Sequence, residues 1–220
     1  MNGYMKIDLE WNPFIRDSKV SLIQLCDDSN IYLIHIARMK LIPSILYKIL
    51  ESKDIYKLGC NINNDARRLF KGHNIKCKSL LELSSLCLQV KQEHFLNRRS
   101  RIIKLSKMVE VLLNHEIAKP RHIVMSNWSS NFLSEAQKEY AATDAYANYV
   151  LAKRIDDLQC EVNNRDVNYE ITLYDIDDNG MKIETKLNNK RLRDVFAEVA
   201  KVANVATSAT LINDNNPNFL

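Results

Sequence analysis

The chain has little that could staple it or anchor it. None of its five cysteines forms a C-x-x-C pair, and their number is odd. Cys26 and Cys60 lie inside apolar segments, so buried reduced thiols in a reducing compartment are expected. The missing paired spacing argues against a structural zinc site. His35, His73, His94, His115 and His122 show no ligand spacing either. No apolar run approaches the roughly 18 residues that a membrane span requires. The N-terminal MNGYMKIDLEW carries no signal-peptide pattern. An intracellular protein of nucleus or cytoplasm, without a membrane partner, is the expectation. There is no internal repeat, and nothing points to collagen, a coiled coil or wholesale disorder. The 46% hydrophobic and 26% charged shares are those of an ordinary globular protein.

At 220 residues the chain can bury one main core with something appended. A net charge of +4 says little, but its distribution says more. Between Lys91 and Arg121 the bases Lys91, Arg98, Arg99, Arg101, Lys104, Lys107, Lys119 and Arg121 face only Glu93, Glu110 and Glu116. Such an excess suits a polyanion. For Arg98, Arg99 and Arg101 in NRRSR, substrate contact and a solvated loop stand level as readings.

Strands are expected at Tyr4 to Trp11, Val20 to Cys26 and Ile31 to Ile36, with DDSN turning the last two into a hairpin. The short connections imply an antiparallel meander. A helix follows over Leu41 to Glu51, with Pro43 in its first turn. Tyr56 to Cys60 reads as a strand. A helix starting at Asn63 or Asn64 runs through ARRLF and closes near Gly72. In Leu80 to Val90, LLEL fits a strand and SSLCLQV a helix. KQEHFLNRRSR has no period and reads as a loop. Leu105, Met108, Val109 and Leu112 mark a helix over Lys104 to Asn114. Ser134 and Gln137 form a capping box opening a long helix through EYAATDAYANYVLAKRI. These elements predict an α/β fold, a mixed sheet covered by helices. From Glu161 the character changes. Two alternating strands around Asn179-Gly180 and a helix over Arg191 to Val205 predict a small ββα appendage. The expected division is 1–158 for the main domain, 159–206 for the appendage of unknown role, and 207–220 for a disordered tail.

Five side chains in three separate blocks carry chemistry: Asp8 and Glu10 in IDLEW, Asp65 in NNDARRL, and Tyr140 and Asp144 in YAATDAY. Asp8 and Glu10 are two apart on a strand and so face one way. Tyr140 and Asp144 are four apart on a helix and share a face. Each block alone has an ordinary explanation. D-x-E fits a half-exposed strand with two solvated acids. Tyr140 fits a core tyrosine. Asp65 fits an acid favoured by a helix N-terminus. Together, four carboxylates can hold two hard divalent cations against a phosphodiester, leaving a phenol to orient water. Oxygen donors select magnesium or manganese rather than zinc or copper.

IDLEW, VSLIQLC, KLGCNINNDARRL, MSNW and LSEAQKEYAATDAYA, in this order from about Met5 to Ile155, resemble the DEDDy 3′–5′ exonucleases. The Werner-syndrome-type exonuclease domain is the nearest match and ribonuclease D a more distant one. The resemblance implies an RNase H-like fold and hydrolytic release of nucleoside 5′-monophosphates from a nucleic-acid 3′ end, with DNA ahead of RNA. It implies two Mg2+ or Mn2+ ions held by Asp8, Glu10, Asp65 and Asp144, with Tyr140 orienting the attacking water. Trp128 of MSNW matches as a packing residue.

Two departures accompany the likeness. The family usually has a strand and a helix before the D-x-E strand, whereas only seven residues precede Asp8 here, so an N-terminally shortened domain is expected. Lys6 stands where glycine is usual; it could contact a phosphate or compete with a cation for the carboxylates. The alternative to an enzyme is an exonuclease-fold module that binds nucleic acid or protein without cleaving.

Overall fold

The computed structural model describes residues 4–95, 101–161, 169–188, 190–195 and 197. A seven-stranded mixed sheet runs in the order β3-β2-β1-β4-β5-β6-β7. The strands are β1 Tyr4–Trp11, β2 Val20–Cys26, β3 Ile31–Ile34, β4 Tyr56–Gly59, β5 Leu80–Glu82, β6 Glu170–Ile176 and β7 Lys182–Asn188. The first three form the antiparallel meander that their short connections dictate. β4 and β5 then add in parallel beside β1. Parallel neighbours need crossovers, and helices supply them.

The helices are α1 Ser44–Glu51, α2 Ile62–His73, α3 Leu83–Val90, α4 Leu105–Leu113, α5 Arg121–Val124 and α6 Glu135–Glu161. They cover both faces of the sheet. Ile7 and Leu9 pack with Leu46 and Leu50 of α1 and with Ile62, Ala66 and Leu69 of α2. On the other face Leu58 and Leu81 pack with Leu86, Met108, Leu112, Leu151 and Ile155 of α3, α4 and α6. Because strand side chains alternate, burying Ile7 and Leu9 against α1 and α2 turns Asp8 and Glu10 toward α6. Asp8 pairs with Gln24 and Glu10 with Leu22, and the register shifts immediately after Glu10.

Several boundaries move from their expected places for local reasons. β3 ends at Ile34, and Ile36–Arg38 forms a 3-10 turn. Pro43 sits just outside α1 in an extended conformation, so that helix starts at Ser44 rather than Leu41. α2 begins at Ile62 after Asn61, whose φ of 60° is left-handed. Its end is set by Asn74, also left-handed, whose N–H reaches the carbonyls of Leu69 and Phe70. Asparagine tolerates this conformation, so it terminates the helix and Gly72 stays inside it. The Ser134–Gln137 capping box forms as expected. Ser134 N donates to Gln137 Oε1 at 2.9 Å and Gln137 N to Ser134 Oγ at 3.2 Å.

The C-terminal hairpin turns at Asn179-Gly180 as expected, with Gly180 at φ +75°. It continues the main sheet, since β6 pairs with β5 through Leu80–Tyr174 and Leu81–Leu173. Its tip rests on α2: a Cβ on Gly180 would stand 2.4 Å from Phe70 Cε1. Residues 192–195 are helical, and Leu192 and Val195 are buried in the core against α6. Arg191 precedes that helix, and the rest of the expected Arg191 to Val205 helix, apart from residue 197, and the tail from Thr207 lie outside the described residues.

Candidate active site

Two of the three sequence blocks meet at one cleft of about 400 Å³, lined by Asp8, Glu10, Trp11, Lys119, Tyr140 and Asp144 among others, whereas Asp65 of the third block is not part of its lining. β1 delivers Asp8 and Glu10, and α6 delivers Tyr140 and Asp144. Ala141 is fully buried between the latter two and packs with Leu22 and Trp128, which seats α6 closely on the sheet. α2 carries Asp65, which is buried, and whose carboxyl is raised by burial and then by the charge of Asp8.

Burial and mutual repulsion raise the proton affinity of Asp8, Glu10 and Asp65. Glu10 is pushed up to about 9, first by burial and then by Asp8 and Asp144. Asp8 rises through burial and Asp144, and Asp65 through burial and Asp8. The Tyr140 hydroxyl is driven well above its ordinary range by burial and by Asp144, Glu10 and Asp8, so it stays protonated. Cys60 also lines the cleft, but burial pushes its thiol up to about 12 and its Sγ bonds to the Ile103 carbonyl, so it is no nucleophile.

Two residues that sequence reasoning left without a site role shape this cluster. Lys119 donates from Nζ to Asp144 Oδ2 at 2.6 Å and to the Tyr140 hydroxyl at 3.3 Å. Its only signal in the sequence was membership of the basic stretch. Glu82, at the end of β5, accepts from the backbone N–H groups of Asn61, Ile62 and Ser84. It thereby joins β5 to the first turn of α2 and so positions Asp65.

The remaining expected residues fall as follows. Trp128 is fully buried, donates to the Val124 carbonyl and lies 6.0 Å from the Tyr140 ring, which it backs. Arg101 is exposed; Arg98 and Arg99 lie outside the described residues. Lys104, at the end of that basic loop, lines the cleft. Lys6 does not line the carboxylate cleft, and among the described residues it forms no ion pair with the carboxylates. It is buried, with Nζ 3.7 Å from the Tyr4 ring and 4.2 Å from the Tyr149 ring. The cation seated on a carboxylate is Lys119 instead.

Among the described residues no three acidic, histidine or cysteine side chains form a ready-made metal cage. The chemistry of the donors nevertheless fits a hard cation. All four are carboxylates, two are buried, and among the described residues the buried Asp144 Oδ1 has no hydrogen-bond partner.

A family profile described as 3′–5′ exonuclease matches residues 2–158. The chain belongs to the 3′–5′ exonuclease family. It is 34% identical over 158 residues to the Mus musculus bifunctional 3′–5′ exonuclease/ATP-dependent helicase WRN, covering 69% of this chain and 11% of that protein. It is 33% identical over 161 residues to an Arabidopsis thaliana 3′–5′ exonuclease, covering 71% of this chain and 54% of that one. The chain thus spans only part of the length of these relatives. Among solved structures, Escherichia coli RNase D superposes with a TM-score of 0.59 at 19% identity, over 73% of this chain and 40% of that one. Brucella melitensis NrnC superposes with a TM-score of 0.58 at 20% identity, over 74% and 76%. These likenesses identify the RNase H-like exonuclease fold that the sequence blocks implied. Among the described residues of this exonuclease-family chain, no helix is long and apolar enough to cross a membrane.

Proposed function

We propose that the chain is a metal-dependent 3′–5′ exonuclease that hydrolyses the terminal phosphodiester of a nucleic acid and releases nucleoside 5′-monophosphates. The observation that carries this reading is that Asp8 and Glu10 of β1 and Tyr140 and Asp144 of α6, far apart in the chain, line one cleft, and the buried Asp65 of α2, raised by burial and then by Asp8, supports it. The likeness to exonucleases supports it. DNA is put ahead of RNA on the likeness to a helicase-linked exonuclease.

Asp8, Glu10, Asp65 and Asp144 are the residues that would hold two Mg2+ or Mn2+ ions. Such ions would supply Lewis-acid charge stabilisation and would lower the pKa of a water in the site. Tyr140, protonated and backed by Trp128, presents its hydroxyl at the cleft to orient the incoming water. Trp11 and Met125 line the same cleft and offer apolar surface for the terminal sugar and base. Lys119 supplies positive charge beside the phosphate position.

The test is digestion of 5′-labelled DNA and RNA oligonucleotides with magnesium or manganese. A ladder shortening from the 3′ end, with mononucleotides as product, is expected; Asp8→Asn and Asp144→Asn abolish it. Undiminished cleavage by both variants would refute the assignment. Binding without turnover would mark an exonuclease fold kept as a nucleic-acid holder, the reading that Lys119 seated on Asp144 favours.

A further inference from the structure

A second cleft, of about 570 Å³, lies between the β1–β2 connection and α2. Asn64, Arg67, Arg68 and Lys71 line it from α2, and Lys19 faces them from the entrance to β2. The helical residues fall at i, i+3, i+4 and i+7, which puts them in one stripe. Gly72 lets the opposing segment come close, since a Cβ there would meet the Lys19 side chain at 3.3 Å.

This cleft is strongly and uncompensatedly basic. Lys19, Arg67 and Lys71 are exposed, and among the described residues none of them has an ion-pair partner. The one acid on the wall, Asp17, lies beside Arg16. Arg68 is held in place: its guanidinium stacks 3.9 Å over the Trp11 ring and donates to the Ser18 carbonyl. Trp11 lines the carboxylate cleft, and Asn64 of the basic cleft precedes Asp65. The Trp11–Arg68 stack therefore joins the two depressions edge to edge.

We propose that the basic cleft is a phosphate track for the strand segment on the 5′ side of the scissile bond. The proposal rests on the exonuclease reading above. A strand whose 3′ end enters the carboxylate cleft must leave it with its 5′-ward phosphates, and the concave cationic surface along α2 adjoins that cleft through the Trp11–Arg68 stack. Asn64 to Lys71 spans about 10 Å at the helical rise, long enough to meet more than one phosphate of a strand. Charge recognises phosphate whatever the base, so the track takes backbone irrespective of sequence.

The experiment compares the wild-type chain with K19E/R67E/K71E, leaving Arg68 in its stack. Binding of a labelled twelve-nucleotide single strand is measured by anisotropy in EDTA across a salt series. Cleavage of the same strand and of a dinucleotide is measured with manganese. Three lost phosphate contacts lower the log–log salt slope by about 2. Twelve-mer binding and kcat/KM are expected to fall at least about ten-fold, the latter through KM, while dinucleotide cleavage is unchanged. The milder K19Q/R67Q/K71Q should fall between the two, which separates lost charge from misfolding. A charge-reversed variant that binds and cleaves the twelve-mer like wild type overturns the track. A wild type that binds through these residues yet cleaves neither substrate overturns the exonuclease reading and leaves the track standing.

Discussion

Lys119 Nζ stands 2.6 Å from Asp144 Oδ2, with the carboxylate almost fully buried and the lysine side chain 31% exposed. Without a metal, this ammonium is the counter-charge placed directly on the acidic cluster, and it opposes the repulsion felt by Asp8 and Glu10. Lys119→Met keeps length and removes the charge. Breaking a fully buried pair costs about 3–5 kcal/mol; here, with one partner partly solvated, about 1–3 kcal/mol is expected in EDTA near neutral pH. Urea denaturation measures it. Saturating manganese should shrink the difference, because the ion then compensates the same oxygens.

The site acids also set a pH dependence. Glu10 is held at about 9, and Asp8 and Asp65 lie above the ordinary carboxylate range. Groups whose folded pKa is raised stabilise the fold fully below their unfolded pKa and withdraw that support as pH climbs through the folded value. In EDTA the melting temperature should therefore fall from about pH 4 to about pH 9. Magnesium or manganese binds the ionised oxygens, so the stabilisation it brings should grow over the same window. A melting curve in EDTA that is flat across that range would count against a buried carboxyl cluster.

Tyr140→Phe removes the hydroxyl and keeps the ring against Trp128. A loss of about 10- to 100-fold in kcat is expected, the lower end for a group that handles a proton or orients water. Because the hydroxyl remains protonated throughout, the ratio of wild-type to variant rate should stay constant between about pH 6 and pH 9. A ratio that changes with pH in single-turnover cleavage would mean Tyr140 ionises in the reaction.

Lys6→Met addresses stability alone. The Lys6 ammonium is buried against two rings and finds no hydrogen-bond acceptor among the described residues, and burial lowers its pKa to about 7, with Asp28 opposing. Cation–π attraction contributes roughly 0.5–2 kcal/mol, whereas burying a charge costs several. Desolvation wins, so methionine should stabilise the chain by about 1–2 kcal/mol at and below neutral pH. A depressed lysine pKa means wild-type stability rises as pH climbs from about 7 to about 10, so the gain should shrink over that range. Denaturation midpoints at two pH values check the sign.

Local chemistry made much of this protein legible in one dimension. The alternation of Ile7 and Leu9 with Asp8 and Glu10 already turned two acids to one side, and the Ser134–Gln137 box opened α6 where it belongs. The Asn179-Gly180 turn announced the last hairpin. Each depends on neighbours within a few positions, which is the range over which sequence alone constrains a backbone. What remained hidden lies between residues far apart in the chain. Lys6 was read as facing the site because strand periodicity gives a side and not a neighbour; the packed helix put Tyr149 above it. Glu82 was an ordinary strand-end acid until three amides from two helices converged on it. Lys119 was one base in a basic stretch, and only the docking of its loop on α6 set it against Asp144. The basic stripe of α2 became a cleft only when Lys19 folded over it. Periodicity and capping belong to the chain; the partner of a charge is decided where segments meet, because electrostatic and packing energies depend on distance in space.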